Sequence, residues 1–184
     1  MKIKGDHRMK DRRQTSAPVT TAATDYQKTI RVSATPDALF DALTSVSGIS
    51  AWWAPATGSG EVDGDLKFLM NFPEPMLIHV DQATRPKSVQ WTVTECPFPG
   101  FSDWVGTRPT FTITSVDGDV SELHFRHHGL TSELDCIDIC TTSWNSYMAS
   151  LRDYVEGGQG APLGSSADQA RRVRDGDDQL LEGS

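Results

Sequence analysis

Residues 137–158 read IDICTTSWNSYMASLRDYVEGG, and the period of this stretch decides how the rest of the chain must be arranged. Ile137, Cys140, Trp144, Met148, Leu151 and Val155 step by three or four, with Tyr147 and Tyr154 alongside; Asp138, Asn145, Arg152 and Asp153 take the other faces. Such spacing gathers the apolar side chains on one stripe of a helix. It predicts about twenty helical residues, roughly 30 Å long at about 1.5 Å per residue. Gly157-Gly158 end it, since glycine accepts the left-handed conformation of a C-terminal cap. A stripe that wide needs a surface to lie on.

The residues before it supply one, because there the period is two. Leu66, Phe68, Met70 and Phe72 alternate with Asp65, Lys67, Leu69 and Asn71. Val89, Trp91 and Val93 alternate with Gln90, Thr92 and Thr94, and Leu123, Phe125 and His127 with Glu122, His124 and Arg126. Phe111 and Ile113 alternate with threonines. Asp63-Gly64 separates 57–62 from 66–72, and Asp117-Gly118 separates 111–116 from 120–127. Asp-Gly tolerates the positive φ that a tight hairpin demands, so both read as turns of antiparallel pairs. With 26–33 and 76–83 added, about seven strands result, most apolar on one face and wet on the other.

Between the first two strands the period is helical again. Thr35 caps a helix opened by Pro36, with Ala38, Leu39, Ala42 and Leu43 on its apolar side. A second short helix over 46–53 is stopped by Pro55. The predicted order is therefore strand, two helices, six strands and a long helix. That is an α+β helix-grip architecture, a curved antiparallel sheet wrapped around one C-terminal helix.

The folded part is expected to span 25–162. Residues 1–24 are basic, net +4, lack apolar periodicity and read as a disordered arm; 163–184, net −2 from 157 onward, read as a polar, disordered tail. The body between, 25–156, carries net −10. A body this acidic repels phosphate backbones, so nucleic acid is not an expected partner. No apolar run approaches the roughly 18 residues of a membrane-spanning helix, so no membrane insertion is expected. Three cysteines cannot all pair within the chain, and a reduced, cytoplasmic protein is the expectation. No phosphate loop, dinucleotide fingerprint or Gly-x-Ser-x-Gly elbow is present, and no cofactor is implied.

Trp52-Trp53 after the second helix, the Thr57-Gly58 to Gly64-Asp65 segment, Trp91, His127-His128-Gly129-Leu130, Trp144 and the 157–162 run GGQGAP resemble the SRPBCC (START-related) domains. The subgroup they resemble most is the one similar to the activator of the heat-shock chaperone ATPase. The resemblance covers about 26–162. It implies a cavity-bearing fold and a monomer or homodimer, without naming a ligand.

One helix across a twisted sheet is expected to leave a hollow at its own level, a default small-molecule site. Trp53, Phe68, Met70, Trp91, Phe111, Trp144 and Met148 are the candidates to wall it, and core packing is the plainer role for each. Trp104 sits in 97–109, a Pro- and Gly-rich connection that would act as a lid or as an anchored loop. His127 shares its strand face with Leu123 and Phe125 and should point inward, either as a satisfied core residue or as the polar anchor of a ligand. His79 would strengthen an acid–base role if it met His127 across the hollow. His124, His127, His128, Cys136 and Cys140 do not make a zinc site, because His124 and His127 lie on opposite strand faces and Cys-x3-Cys has no second pair. Three functions follow: binding of a small apolar or aromatic molecule, a cyclase or dehydratase with His127 moving protons, or a chaperone-accessory interaction module.

Overall fold

The computed structural model describes residues 23–175, Asn71 excepted. Seven strands form one antiparallel sheet: β1 (Tyr26–Val32), β2 (Ala56–Gly58), β3 (Asp65–Phe68), β4 (Met76–Thr84), β5 (Ser88–Glu95), β6 (Arg108–Asp117) and β7 (Val120–His128), in the spatial order β1-β7-β6-β5-β4-β3-β2. Four helices accompany it: α1 (Pro36–Thr44), α2 (Val46–Trp52), α3 (Ile137–Gly157) and α4 (Ser166–Asp175). This is the helix-grip fold.

Its local logic follows the sequence. The Thr35 side chain accepts from the Ala38 N–H at 3.2 Å, Ser45 caps α2, and Gly158 closes α3 with a φ of 75°. Asp117 pairs with Val120 across the turn, where Gly118 takes a φ of 48°. Along β7, Ser121, Leu123, Phe125 and His127 are buried and Glu122, His124 and Arg126 exposed. Register carries this alternation across the sheet, pairing Phe125 with Phe111 on β6.

Three expectations need correction. The strand over 57–62 shortens to Ala56–Gly58: a Cβ at Gly60 would lie 2.0 Å from the Thr44 carbonyl oxygen, so the backbone wedges against the end of α1 instead of continuing a ladder. The strand over 66–72 stops at Phe68, short of Pro73 and Pro75, neither of which has an N–H to donate to a ladder. Finally, the tail over 163–184 is not disordered in its first part, since 166–175 form α4 against α3. The arm over 1–24, up to residue 22, and the end of the tail from 176 lie outside the described residues.

Candidate functional site

The level at which a hollow was expected is occupied by rings. Trp53 is the C-cap residue of α2, and its indole enters the interior between sheet and α3. It stacks on Trp91 of β5 at 5.6 Å with planes 5° apart, and meets Trp144 of α3 at 5.2 Å and Phe68 of β3 at 4.5 Å. Phe111 closes on Trp91 at 4.7 Å, and Phe125 on Trp144 at 4.4 Å. Trp52 stacks on Trp53 at 5.9 Å and Trp104 on Trp144 at 6.3 Å, so all five tryptophans of the chain belong to one contact network. Burying a ring of this size contributes a few kcal/mol, and offset or edge-on pairs add about 0.5–1.5 kcal/mol each. Met148 is fully buried with them on α3. Met70 lies beyond the end of β3 and is only half-buried.

His127 sits inside this cluster, inaccessible to solvent, and its hydrogen bonds determine its proton. The Trp144 indole N–H donates to Nδ1 at 3.0 Å, so Nδ1 is the acceptor nitrogen. Nε2 therefore carries the hydrogen and donates to Thr107 Oγ1 at 2.8 Å, and that hydroxyl donates to the Trp104 carbonyl at 2.6 Å. Burial holds the imidazole neutral, lowering its pKa to about 3. Both nitrogens are committed to hydrogen bonds in this conformation. The relay instead ties α3 and β7 to the loop over 96–107. His79 does not meet it: its Nδ1 pairs with Asp65 Oδ1 at 2.9 Å on the outer face, and that hydrogen bond raises its pKa.

The residues that fix the depth of Trp53 were not evident from the sequence pattern. Ser150 Oγ donates to the Trp52 carbonyl at 2.7 Å and accepts from the Ala161 N–H at 2.6 Å. The Leu163 N–H donates to the Trp53 carbonyl at 2.8 Å. A Cβ at Gly160 would stand 2.3 Å from the Ala51 carbonyl oxygen, so the Gly-rich run after α3 is a clasp on the end of α2 as well as a helix stop. Small residues in a run that passes close to another backbone were the available signal.

Two shallow clefts lie away from the rings, on either side of α1. One, about 240 Å³, is bordered by Asp41, Tyr154 and Val155; the other, about 480 Å³, by Phe40, Glu61, Val62 and Arg85. Arg85 lies over the Phe40 ring at 4.7 Å and pairs with Asp37 and Asp41. Among the described residues no three His, Cys, Asp or Glu side chains are arranged to hold a metal ion, and no helix is long and apolar enough to cross a membrane. Among the described residues the indole N–H of Trp91 has no hydrogen-bond partner, and that of Trp104 lies against the Cys140 sulfur, a weak acceptor, without a full hydrogen bond.

Comparison with known proteins agrees with this geometry. The sequence model of the family described as "Activator of Hsp90 ATPase homolog 1-like protein" matches residues 33–156. Among solved structures, the Aha1 dimer from Colwellia psychrerythraea is 27% identical, with a TM-score of 0.64 over 74% of this chain and 98% of that one. CalU16 from Micromonospora echinospora is 17% identical, with a TM-score of 0.57 over 82% of this chain and 86% of that one. An HSP90 activator from Plasmodium falciparum is 17% identical, with a TM-score of 0.54 over 70% and 93%. The last two similarities speak to the fold alone. No curated protein sequence matches the chain.

Proposed function

Because the chain belongs to the Activator of Hsp90 ATPase homolog 1-like family, we propose that it is a protein-interaction module that contacts an Hsp90-class chaperone through its outer surface and raises the rate of ATP hydrolysis. The observation that carries this reading is the occupied interior: Trp53, Trp91 and Trp144 stand where a guest molecule would sit. A module of this kind needs apolar surface to offer. Leu69 is 56% exposed, Phe72 39% and Val105 51%, on the two loops that Phe72 and Phe98 join by stacking at 4.4 Å. The test is a titration of a purified Hsp90-class chaperone with the chain. A saturable rise in ATP hydrolysis is expected, diminished in a Leu69→Ser, Val105→Ser variant whose unfolding midpoint is unchanged. Flat hydrolysis together with no complex in sedimentation would overturn it.

A second reading keeps the interior as a binding site for a small apolar or aromatic molecule. The Trp91 N–H favours it, as a buried donor without an acceptor among the described residues. The loop over 96–107, with Gly100 at a φ of 81° and Gly106 at 86°, would swing Trp104 aside, leaving Trp53, Phe68, Met70, Trp91, Phe111, His127, Trp144 and Met148 to line the space. Saturable quenching of tryptophan emission by one member of a panel of lipids, flavonoids and polyketide-like aromatics is the expected result. Quenching by none of them removes this reading.

A further inference from the structure

Cys96 is forty residues from Cys136 in sequence, yet the fold brings it near the Cys136–Cys140 pair, with Cys140 against Trp104. Cys96 follows β5 at the root of the loop over 96–107; Cys136 is the N-cap residue of α3, and Cys140 lies in its first turn. All three are free thiols and buried. The Cys136 and Cys140 side chains lie within interaction range of each other, and Cys96 lies within electrostatic range of both. The Cys140 N–H donates to the Cys136 carbonyl at 2.8 Å, which sets the two thiols one helical turn apart.

We infer that Cys136 and Cys140 form an oxidation site, a dithiol that closes to a reversible intrachain disulfide when a two-electron oxidant of the peroxide class reaches it. Cys136, 8% exposed against 1% for Cys140, is the nearer to solvent and takes the first step. Its sulfur attacks one peroxide oxygen; the O–O bond breaks, sulfur is oxidised to sulfenic acid and one water leaves. The Cys140 sulfur then attacks the sulfenic sulfur, the S–OH bond breaks, and the thiol hydrogen departs with the hydroxyl as a second water. In sum, two thiols lose two hydrogens and two electrons, and one peroxide becomes two waters.

Two features favour this pair. Residues one turn apart on a helix hold their Cβ atoms about 5–6 Å apart, and a disulfide needs about 3.5–4.5 Å, so one residue must move inward. Cys136 has that freedom: its backbone is not helical (φ −83°, ψ 3°), and its side chain makes no capping hydrogen bond. A bond closed by such a shift is strained and easily reduced, the character of a regulatory disulfide rather than a structural one.

The experiment uses the full chain, hydrogen peroxide in modest excess, and peptide mapping without reduction. Cleavage after Lys and Arg, except before Pro, places Cys136 and Cys140 together in residues 127–152 and Cys96 in residues 88–126. The expected result is the loss of two hydrogens within 127–152, reversed by dithiothreitol, abolished in Cys136→Ser and Cys140→Ser and retained in Cys96→Ser. A cross-link between the two peptides, added oxygen on one thiol without a disulfide, or unchanged thiols under conditions that preserve the fold would each overturn the inference. The mapping of the unsubstituted chain decides the matter if a serine variant fails to fold.

Discussion

Helix α3 is held on its two sides by opposite chemistry. Its inner side places Trp144, Met148 and Leu151 in an apolar interior closed by ring-on-ring contact. Its outer side is clasped by α4 almost entirely through charge. Arg171 donates to the Ser146 carbonyl at 2.9 Å and to Asp153 at 2.6 Å, while within α4 itself the Arg172 Nε donates to both oxygens of Asp168 at 3.0 Å. Asp168 is only 2% exposed and also accepts from the Gly164 N–H at 3.0 Å. Arg172 lies near Tyr147 of α3, whose burial pushes its pKa up to about 12. Apolar burial is non-directional and tolerates small shifts, whereas a buried ion pair is held only while every partner remains in place.

That contrast can be broken from either side. The largest effect is expected from Trp53→Ala, which opens a cavity at the centre of the ring network. It should cost about 3–5 kcal/mol in urea unfolding, and a loss under about 1 kcal/mol would mean that the rings collapse freely around the gap. Asp168→Ala should cost roughly 3 kcal/mol by leaving the Arg172 guanidinium buried without its carboxylate. The signature is local: proteolysis after Arg171 and Arg174 should speed up while the exchange of amide hydrogens in β5 and β7 stays slow. Uniform acceleration would place α4 within the main cooperative unit instead.

Acid sharpens the comparison. The fold binds neutral His127 and lowers its pKa to about 3, while the unfolded chain takes up a proton near 6.5. Between those values the unfolded state holds more protons, so this contribution to stability is complete above about pH 6.5 and is lost as pH falls. The slope reaches about 1.4 kcal/mol per pH unit, or roughly 2 kcal/mol between pH 6.5 and 5. His127→Gln should flatten that limb in urea melts taken across the range; an identical limb would assign the acid sensitivity to other groups. The smallest effect is expected from Thr107→Val, which removes the acceptor of the His127 N–H and the hydroxyl donor to the Trp104 carbonyl. It should cost about 1 kcal/mol, the low end for an orphaned buried donor, and should speed amide exchange first in the loop over 96–107.

The same contrast explains what could be read from sequence. Alternation and the three-to-four step report which side a residue faces, so the inward direction of Trp91, Phe111, His127 and Trp144 was legible, as were α1, α3 and the Asp117-Gly118 turn. Periodicity does not report depth. Whether an inward ring walls a hollow or fills it depends on where Trp53 is set, and that is fixed by Ser150, Gly160 and Leu163 from across the fold. The docking of α4 was hidden for a different reason: Arg171 pairs with Asp153 and the Ser146 carbonyl on α3 while Asp168 holds Arg172 within α4, and a hydrophobic pattern carries no trace of such pairing.

The tryptophan network also has an optical consequence. Indoles joined by contacts of 5.2 to 6.3 Å exchange excitation energy before they emit, so light absorbed at any of the five is shared by all. Trp104, at the rim and 9% exposed, is the one that an outside molecule meets first. A collision there drains the whole antenna, making the protein's emission a single, collective reporter of what happens at its surface.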